Sequence, residues 1–166
     1  VAVKPQVIDQ VLPPLKGLVG PQTVVVSVAA GKTIANLESH LGEAATVRAM
    51  PNTPALVGKG MTGLFARAAV SAQERDLVEA VVATTGAHVW LGEESHLDAV
   101  TALSGSGPAY VFYFLEAMVQ AGTGMGLTET QARQLAIGTF TGAAELASAS
   151  ADPLELLRER VTSKGG

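Results

Sequence analysis

Apolar and polar positions follow two different rhythms along this chain, and the change from one to the other divides it. Up to about residue 92 the apolar runs are short and β-branched. Thr23-Val24-Val25-Val26-Ser27-Val28 reads as a strand, Ile34, Leu37 and Leu41 recur as one face of a helix, and Ala45 to Ala49 read as a second strand. A run at Met61 to Ala66, a helix around Ser71 to Thr84 and the run Ala87-His88-Val89-Trp90-Leu91 continue the strand-helix-strand rhythm. These strands are too apolar to leave a wet face, so the pattern predicts a βαβ sheet covered by helices on both sides. After Gly92-Glu93-Glu94-Ser95 the strand signal stops. Tyr110, Phe114, Ala117, Met118 and Ala121 then follow helical spacing, as do Ala132, Leu135, Ala136, Thr139, Ala143 and Leu146. Such helices need an apolar partner. The small residues Gly138, Gly142, Ala143 and Ala144 let another backbone approach closely, which predicts a tight helix–helix interface within or between chains. The expected organisation is an α/β unit over residues 1–94 followed by an all-α unit over residues 95–166.

Composition narrows the function without naming it. At 166 residues, 48% hydrophobic and 16% charged, against a usual charged share of about a quarter, the chain has the makings of packed domains and not of disorder. The net charge of −4 with no basic block argues against nucleic-acid binding. The absence of cysteine excludes a disulfide framework, a thiolate zinc site and a Cys nucleophile. The most apolar stretch, Pro108 to Gly126, is interrupted by Glu116 and Gln120, so no membrane span is expected, and the cytoplasm is the default location. Both ends read as cut. Val1-Ala2-Val3-Lys4-Pro5 begins apolar with no Met and no turn before it, as though inside a strand, and Lys164-Gly165-Gly166 is a loop signal directly after an amphipathic helix. A chain that simply ends in a flexible glycine tail is the alternative.

Four places could carry chemistry. Val28-Ala29-Ala30-Gly31-Lys32-Thr33 follows a strand and precedes a helix, imitating the end of a phosphate-binding loop. The imitation fails on spacing, because the upstream glycine that such a loop requires falls on Val26, inside the strand. The small residues Ala29, Ala30 and Gly31 instead suit a flat ligand lying against backbone at a strand's carboxyl end, or an ordinary strand-to-helix turn. In Met50-Pro51-Asn52-Thr53-Pro54 two prolines stiffen an extended loop that presents Asn52 and Thr53, either at a ligand rim or to the loop's own backbone. Leu103-Ser104-Gly105-Ser106-Gly107-Pro108-Ala109-Tyr110 marks the entrance of a long helix, whose free amides could meet a cofactor or carboxylate. Val161-Thr162-Ser163-Lys164-Gly165-Gly166 could form a nest of amides for a small carboxylate, or simply fray. His40, His88 and His96 have no ligand spacing, so no metal site is expected, and the charged positions around Glu74 and Glu155 read as solvated helix faces.

Taken in order, Ala2-Val3-Lys4-Pro5, Ser27-Val28-Ala29-Ala30-Gly31, Met50-Pro51-Asn52-Thr53-Pro54, Ser104-Gly105-Ser106-Gly107-Pro108-Ala109-Tyr110 and Val161-Thr162-Ser163-Lys164-Gly165-Gly166 resemble the pyrroline-5-carboxylate reductase family over essentially the whole chain. The resemblance implies a fold made of the second part of a Rossmann-like dinucleotide-binding domain followed by an all-α dimerisation domain. It implies reduction of 1-pyrroline-5-carboxylate to L-proline by NADPH or NADH, in a homodimer or a larger homo-oligomer. Ala2, Val3, Lys4, Pro5, Val28, Ala29 and Ala30 would then border the cofactor, with Asn52 near the nicotinamide. Val161, Thr162, Ser163, Gly165 and Gly166 would hold the substrate carboxylate, and Ser104 and Gly105 would border the same cleft. No residue of this chain is assigned as catalytic, which suits a reaction in which the hydride comes from the cofactor.

The chain departs from the family pattern in three ways. It lacks the opening glycine-rich βαβ unit, it stops at Gly166 before a threonine whose hydroxyl meets the ring nitrogen, and it has Arg160 and Lys164 where Asn and Pro are frequent. The chain by itself is therefore expected to be inactive. A non-catalytic helical dimerisation piece and a related imine or β-hydroxy-acid dehydrogenase are the alternatives. Against the latter, the lysine that β-hydroxy-acid enzymes carry in their helical part has no counterpart, since Lys164, the only lysine after residue 92, is in a loop.

Overall fold

The computed structural model describes residues 1–163, arranged as two compact units, Val1–Ala109 and Tyr110 onward. The first unit contains α1 (Ile8–Val11), β1 (Val24–Ser27), α2 (Ile34–Leu41), β2 (Ala45–Met50), β3 (Gly60–Ala66), α3 (Ala72–Ala83), β4 (Gly86–Trp90) and α4 (His96–Val100). The two longer helices, α2 and α3, each start at a side-chain cap. The Thr33 hydroxyl accepts the Asn36 N–H at 3.1 Å at the start of α2, and Ser71 and Glu74 form a reciprocal capping box at the start of α3. Gly42, at φ 85°, closes α2 in a backbone conformation that favours glycine.

The four strands form one sheet in the order β1-β2-β3-β4. β1 and β2 run parallel, as do β3 and β4, but β2 and β3 are antiparallel, with Met50 opposite Gly63. The continuous βαβ rhythm read from the sequence is corrected here. A parallel crossover takes a dozen or more residues, and only residues 51–59, including the short 3₁₀ turn Thr53–Val57, separate β2 from β3. The chain therefore turns back. Gly86, at φ 146°, and Gly60 bring β3 and β4 so close that a Cβ on Gly86 would stand 2.1 Å from the Gly60 carbonyl oxygen.

Two apolar clusters hold this unit. Ile8, Leu12, Val25, Ala29, Leu37 and Leu41 form one, with Val1 and Val3 packed on it, and Val47, Ala49, Leu64, Ala66, Val70 and Val78 form the other. The expectation that every strand is covered on both faces fails at β4. His88 and Trp90 meet α3, where the Trp90 indole donates to Glu79 and lies under the Arg75 guanidinium at 4.6 Å, while Ala87 and Val89 on the opposite face are exposed. The opening residues do not form a strand either. Pro5–Val7 is a 3₁₀ turn, and only Val1 pairs with the sheet, donating its nitrogen to Val26 and accepting the Val28 N–H at 3.0 Å.

α4 continues into a π-helical turn, Thr101–Gly105, closed by the Ser106 N–H on the Thr101 carbonyl at 2.8 Å. Beyond it come α5 (Gly107–Gly124), α6 (Glu129–Ala149) and α7 (Leu154–Arg160), as the helical spacing predicts. Thr128 and Gln131 form a second capping box at the start of α6. Gly122 lets α5 approach α6, since a Cβ there would stand 2.9 Å from that of Ala132, and the Phe114 and Phe140 rings lie 6.3 Å apart. Within these three helices, among the described residues, only Gly122, Ala132 and Ala136 are buried. Among the described residues no helix is long and apolar enough to cross a membrane.

Candidate functional site

The parallel pair β1 and β2 ends on one edge of the sheet, and the residues singled out in the first half of the sequence gather there. Ala29 is buried against the first core while Val28 and Ala30 are exposed. Gly31 turns the chain at φ 73°, and no heavy atom lies within 4 Å of where its Cβ would be. A flat molecule can therefore approach the backbone at this turn. The Val1–Val28 hydrogen bond brings Ala2, Val3, Lys4 and Pro5 beside Val28 to Ala30, with Val3 and Pro5 half-buried and Ala2 and Lys4 exposed.

The start of α2 is already occupied by a protein carboxylate. Glu94 Oε1 accepts the Ile34 N–H at 2.7 Å and Arg48 Nη1 at 3.0 Å, tying the loop after β4 to α2 and β2. A carboxylate thus stands where the imitation of a phosphate-binding loop would have put a phosphate. The sequence pattern places Glu94 in a turn and gives it no role. The available signal was Arg48, a cation inside a mostly apolar strand, which has to find an anion when buried. Lys32 is likewise engaged, donating to Asp9 at 3.3 Å, and His40 Nε2 contacts the same oxygen at 3.1 Å. The hydrogen bonds from Lys32, and then from His40, hold the Asp9 carboxyl below its ordinary range.

The second cluster joins two motifs that are 52 residues apart. Asn52 Oδ1 accepts the Met61 N–H at 2.9 Å, and Asn52 Nδ2 faces the Ser104 carbonyl at 3.3 Å and its hydroxyl oxygen at 3.2 Å. The loop after β2 is thereby fastened both to the start of β3 and to the π turn. Gly105 is required by closeness as well, since a Cβ there would stand 2.7 Å from Met50 Cε. The sequence places Ser104 and Gly105 at a helix entrance. The structure puts them in a π turn, a rare conformation frequently found at functional positions.

The third cluster belongs to the helical unit. Arg158, Glu159, Thr162 and Ser163 line a shallow depression of about 400 Å³ after α7. Val161 is exposed, the Val161 and Thr162 amides cap the helix by donating to Arg158 and Glu159, and the Thr162 hydroxyl donates to the Arg158 carbonyl at 2.8 Å. Ser163 is exposed at the same depression. Gly165 and Gly166 lie outside the described residues. His88 and His96 stand 3.6 and 3.9 Å from Glu79 and Glu93, and no cluster of three metal-ligating side chains occurs among the described residues.

A family profile described as pyrroline-5-carboxylate reductase dimerisation matches residues 94–166. Pyrroline-5-carboxylate reductase of Pseudomonas aeruginosa is 44% identical over 99% of this chain and 61% of its own length. The solved pyrroline-5-carboxylate reductase of Coxiella burnetii superimposes with a TM-score of 0.90 at 40% identity, covering 99% of this chain and 62% of that one. The pyrroline carboxylate reductase of Plasmodium falciparum, solved with NADP bound, gives 0.91 at 32% identity over 99% of this chain and 66% of that one. The α/β unit with its following helices is the fold of these proteins. Residues 94–166 therefore belong to the pyrroline-5-carboxylate reductase dimerisation family, and the chain as a whole is similar to pyrroline-5-carboxylate reductases, spanning about three fifths of the length of the curated relatives it matches.

Proposed function

We propose that the protein carrying this chain reduces the ring imine of 1-pyrroline-5-carboxylate to L-proline, taking a hydride from NADPH or NADH and a proton from its surroundings. The observation that carries this reading is the likeness, over 99% of this chain, to a reductase solved with NADP bound. The residues present fit such a cofactor. The carboxyl edge of β1 and β2 offers an open backbone at Ala30 and Gly31, with Ala2, Val3, Lys4, Pro5, Val28 and Ala29 around it. When bound, the nicotinamide supplies the hydride. The chain's own work is then to hold the cofactor along this edge, with Asn52 and Ser104 fixing the adjoining loops, and to hold the substrate carboxylate at Val161, Thr162 and Ser163. There the Val161 and Thr162 amides and the Thr162 hydroxyl are engaged with the last carbonyls of α7, so the Ser163 hydroxyl is the group that can meet an anion, with the Arg158 guanidinium and the Glu159 carboxylate lining the same depression.

In this reading residues 1–94 serve the cofactor, and residues 95–166 serve assembly and the substrate. The helical unit forms a homodimer or a larger homo-oligomer, and the enzyme works in the cytoplasm without nucleic-acid or membrane partners. The test is the rate of NADPH and NADH oxidation by the protein in its full natural length, with 1-pyrroline-5-carboxylate as acceptor and proline as the measured product. Substrate-dependent oxidation with stoichiometric proline is the expected result. A protein that oxidised a hydroxy acid and left the cyclic imine untouched would overturn the reading.

A further inference from the structure

The Asn52 carboxamide can be oriented without ambiguity. Met61 N–H is a donor only, so the atom 2.9 Å from it is the amide oxygen. The Ser104 carbonyl is an acceptor only, so the atom 3.3 Å from it is the amide nitrogen. The same nitrogen lies 3.2 Å from Ser104 Oγ and carries no lone pair to offer, which makes the serine hydroxyl the acceptor in that bond. The hydroxyl proton is therefore left to point away from Asn52. Ser104 is half-buried in a turn whose geometry is fixed on one side by the Ser106 N–H bond to Thr101 and on the other by the contact of Gly105 with Met50. The hydroxyl is held in place, its acceptor side faces the carboxamide, and its proton is directed to the other side.

We propose that Asn52 is a positioning residue that acts through Ser104: the carboxamide holds the serine hydroxyl so that it donates a hydrogen bond to an oxygen acceptor of the bound reactants. This rests on the reductase reading and deepens it, since Asn52 is thereby taken away from direct contact with the cofactor. Two oxygen acceptors fit, the carboxylate of the imino acid and the carboxamide oxygen of the nicotinamide, and the kinetics distinguish them.

The decisive variant is Asn52→Asp. A carboxylate still accepts the Met61 N–H, so the loop keeps its tie to β3, but it cannot donate to Ser104. The serine proton turns back toward the introduced carboxylate and is lost to the ligand. In the protein of full natural length, Ser104→Ala and Asn52→Asp should each raise the same Michaelis constant about tenfold, the loss of one hydrogen bond. The double variant should be about tenfold weaker as well, not a hundredfold, because both changes remove one bond. Protection of the Met61 amide from hydrogen exchange should persist in Asn52→Asp and be lost in Asn52→Leu. A rise in KM for the imino acid assigns the acceptor to the substrate, and a rise in KM for the dinucleotide assigns it to the cofactor. Effects that multiply in the double variant, or an Asn52→Asp protein with unchanged KM values, overturn the positioning role while leaving the reductase reading intact. Absence of any turnover in the unaltered protein overturns that reading, and the proposal with it.

Discussion

At the scale of single residues, Glu94 has more to lose than any group named in the motifs. Its carboxylate is the partner of Arg48, whose side chain is only 9% exposed, and the acceptor for the first amide of α2. Glu94→Leu would strand a buried guanidinium and a helix N–H together. Breaking such a pair from one side is expected to cost about 3 kcal/mol, read as a shift in urea denaturation at neutral pH. Glu94→Gln keeps an acceptor for both partners and should cost about 1 kcal/mol, so a Gln variant as unstable as the Leu variant would refute this account. Sequence alone does not lead to Glu94 because its partners lie 46 and 60 residues away. Asn52, by contrast, is legible as important from the prolines around it, although not as a strut, since nothing in a linear pattern says that Ser104 will stand beside it.

At the scale of elements, what the sequence reveals is what local chemistry decides. The helix read around Ser71 to Thr84 is α3, and at its start the structure adds a capping box to Glu74, read from the sequence only as part of a solvated face, with the Glu74 carboxylate accepting from the Ser71 amide and hydroxyl at 2.7 Å each. Those two hydrogen bonds, the hydroxyl first, hold the Glu74 carboxyl below its ordinary value. A carboxyl whose folded pKa is depressed stabilises the folded state above its unfolded pKa, and this contribution disappears as pH falls through the folded value. Glu74→Gln can keep a box of the kind that Gln131 makes with Thr128, so it removes the charge alone. The thermal midpoint of the unaltered protein should therefore exceed that of Glu74→Gln at neutral pH. The difference should shrink as pH falls below the ordinary Glu range, near 4.5. A gap independent of pH would mean that the charge contributes nothing. Strand direction is not legible in the same way. β3 carries the apolar pattern of a buried strand whichever way it runs, and only the shortness of residues 51–59 reverses it. The π turn is hidden too, because the contacts that fix it come from Asn52 and Met50, far upstream.

At the scale of the whole molecule, the helical unit leaves most of its apolar surface open. Phe112, Tyr113 and Phe114 on α5 and Leu135, Ile137 and Leu146 on α6 are exposed, while few small residues are buried between the helices. Three helices with so little covered do not by themselves offset the entropy of ordering them, and the homodimer proposed above, in line with the dimerisation profile over residues 94–166, would cover this surface. Gly138 and Gly142 have no heavy atom within 4 Å of where a Cβ would stand, so within the protomer a larger side chain meets nothing. Replacing a mid-helix glycine also removes its cost of about 1 kcal/mol in α6. Gly142→Leu should therefore leave helix content by circular dichroism unchanged or slightly raised. If this face is where two copies approach, the same variant should move the mass seen by light scattering from dimer towards monomer. The opposed directions of the two readings separate an interface effect from a folding defect, and an unaltered dimer in a well-folded Gly142→Leu protein would locate the interface on another part of the helical surface.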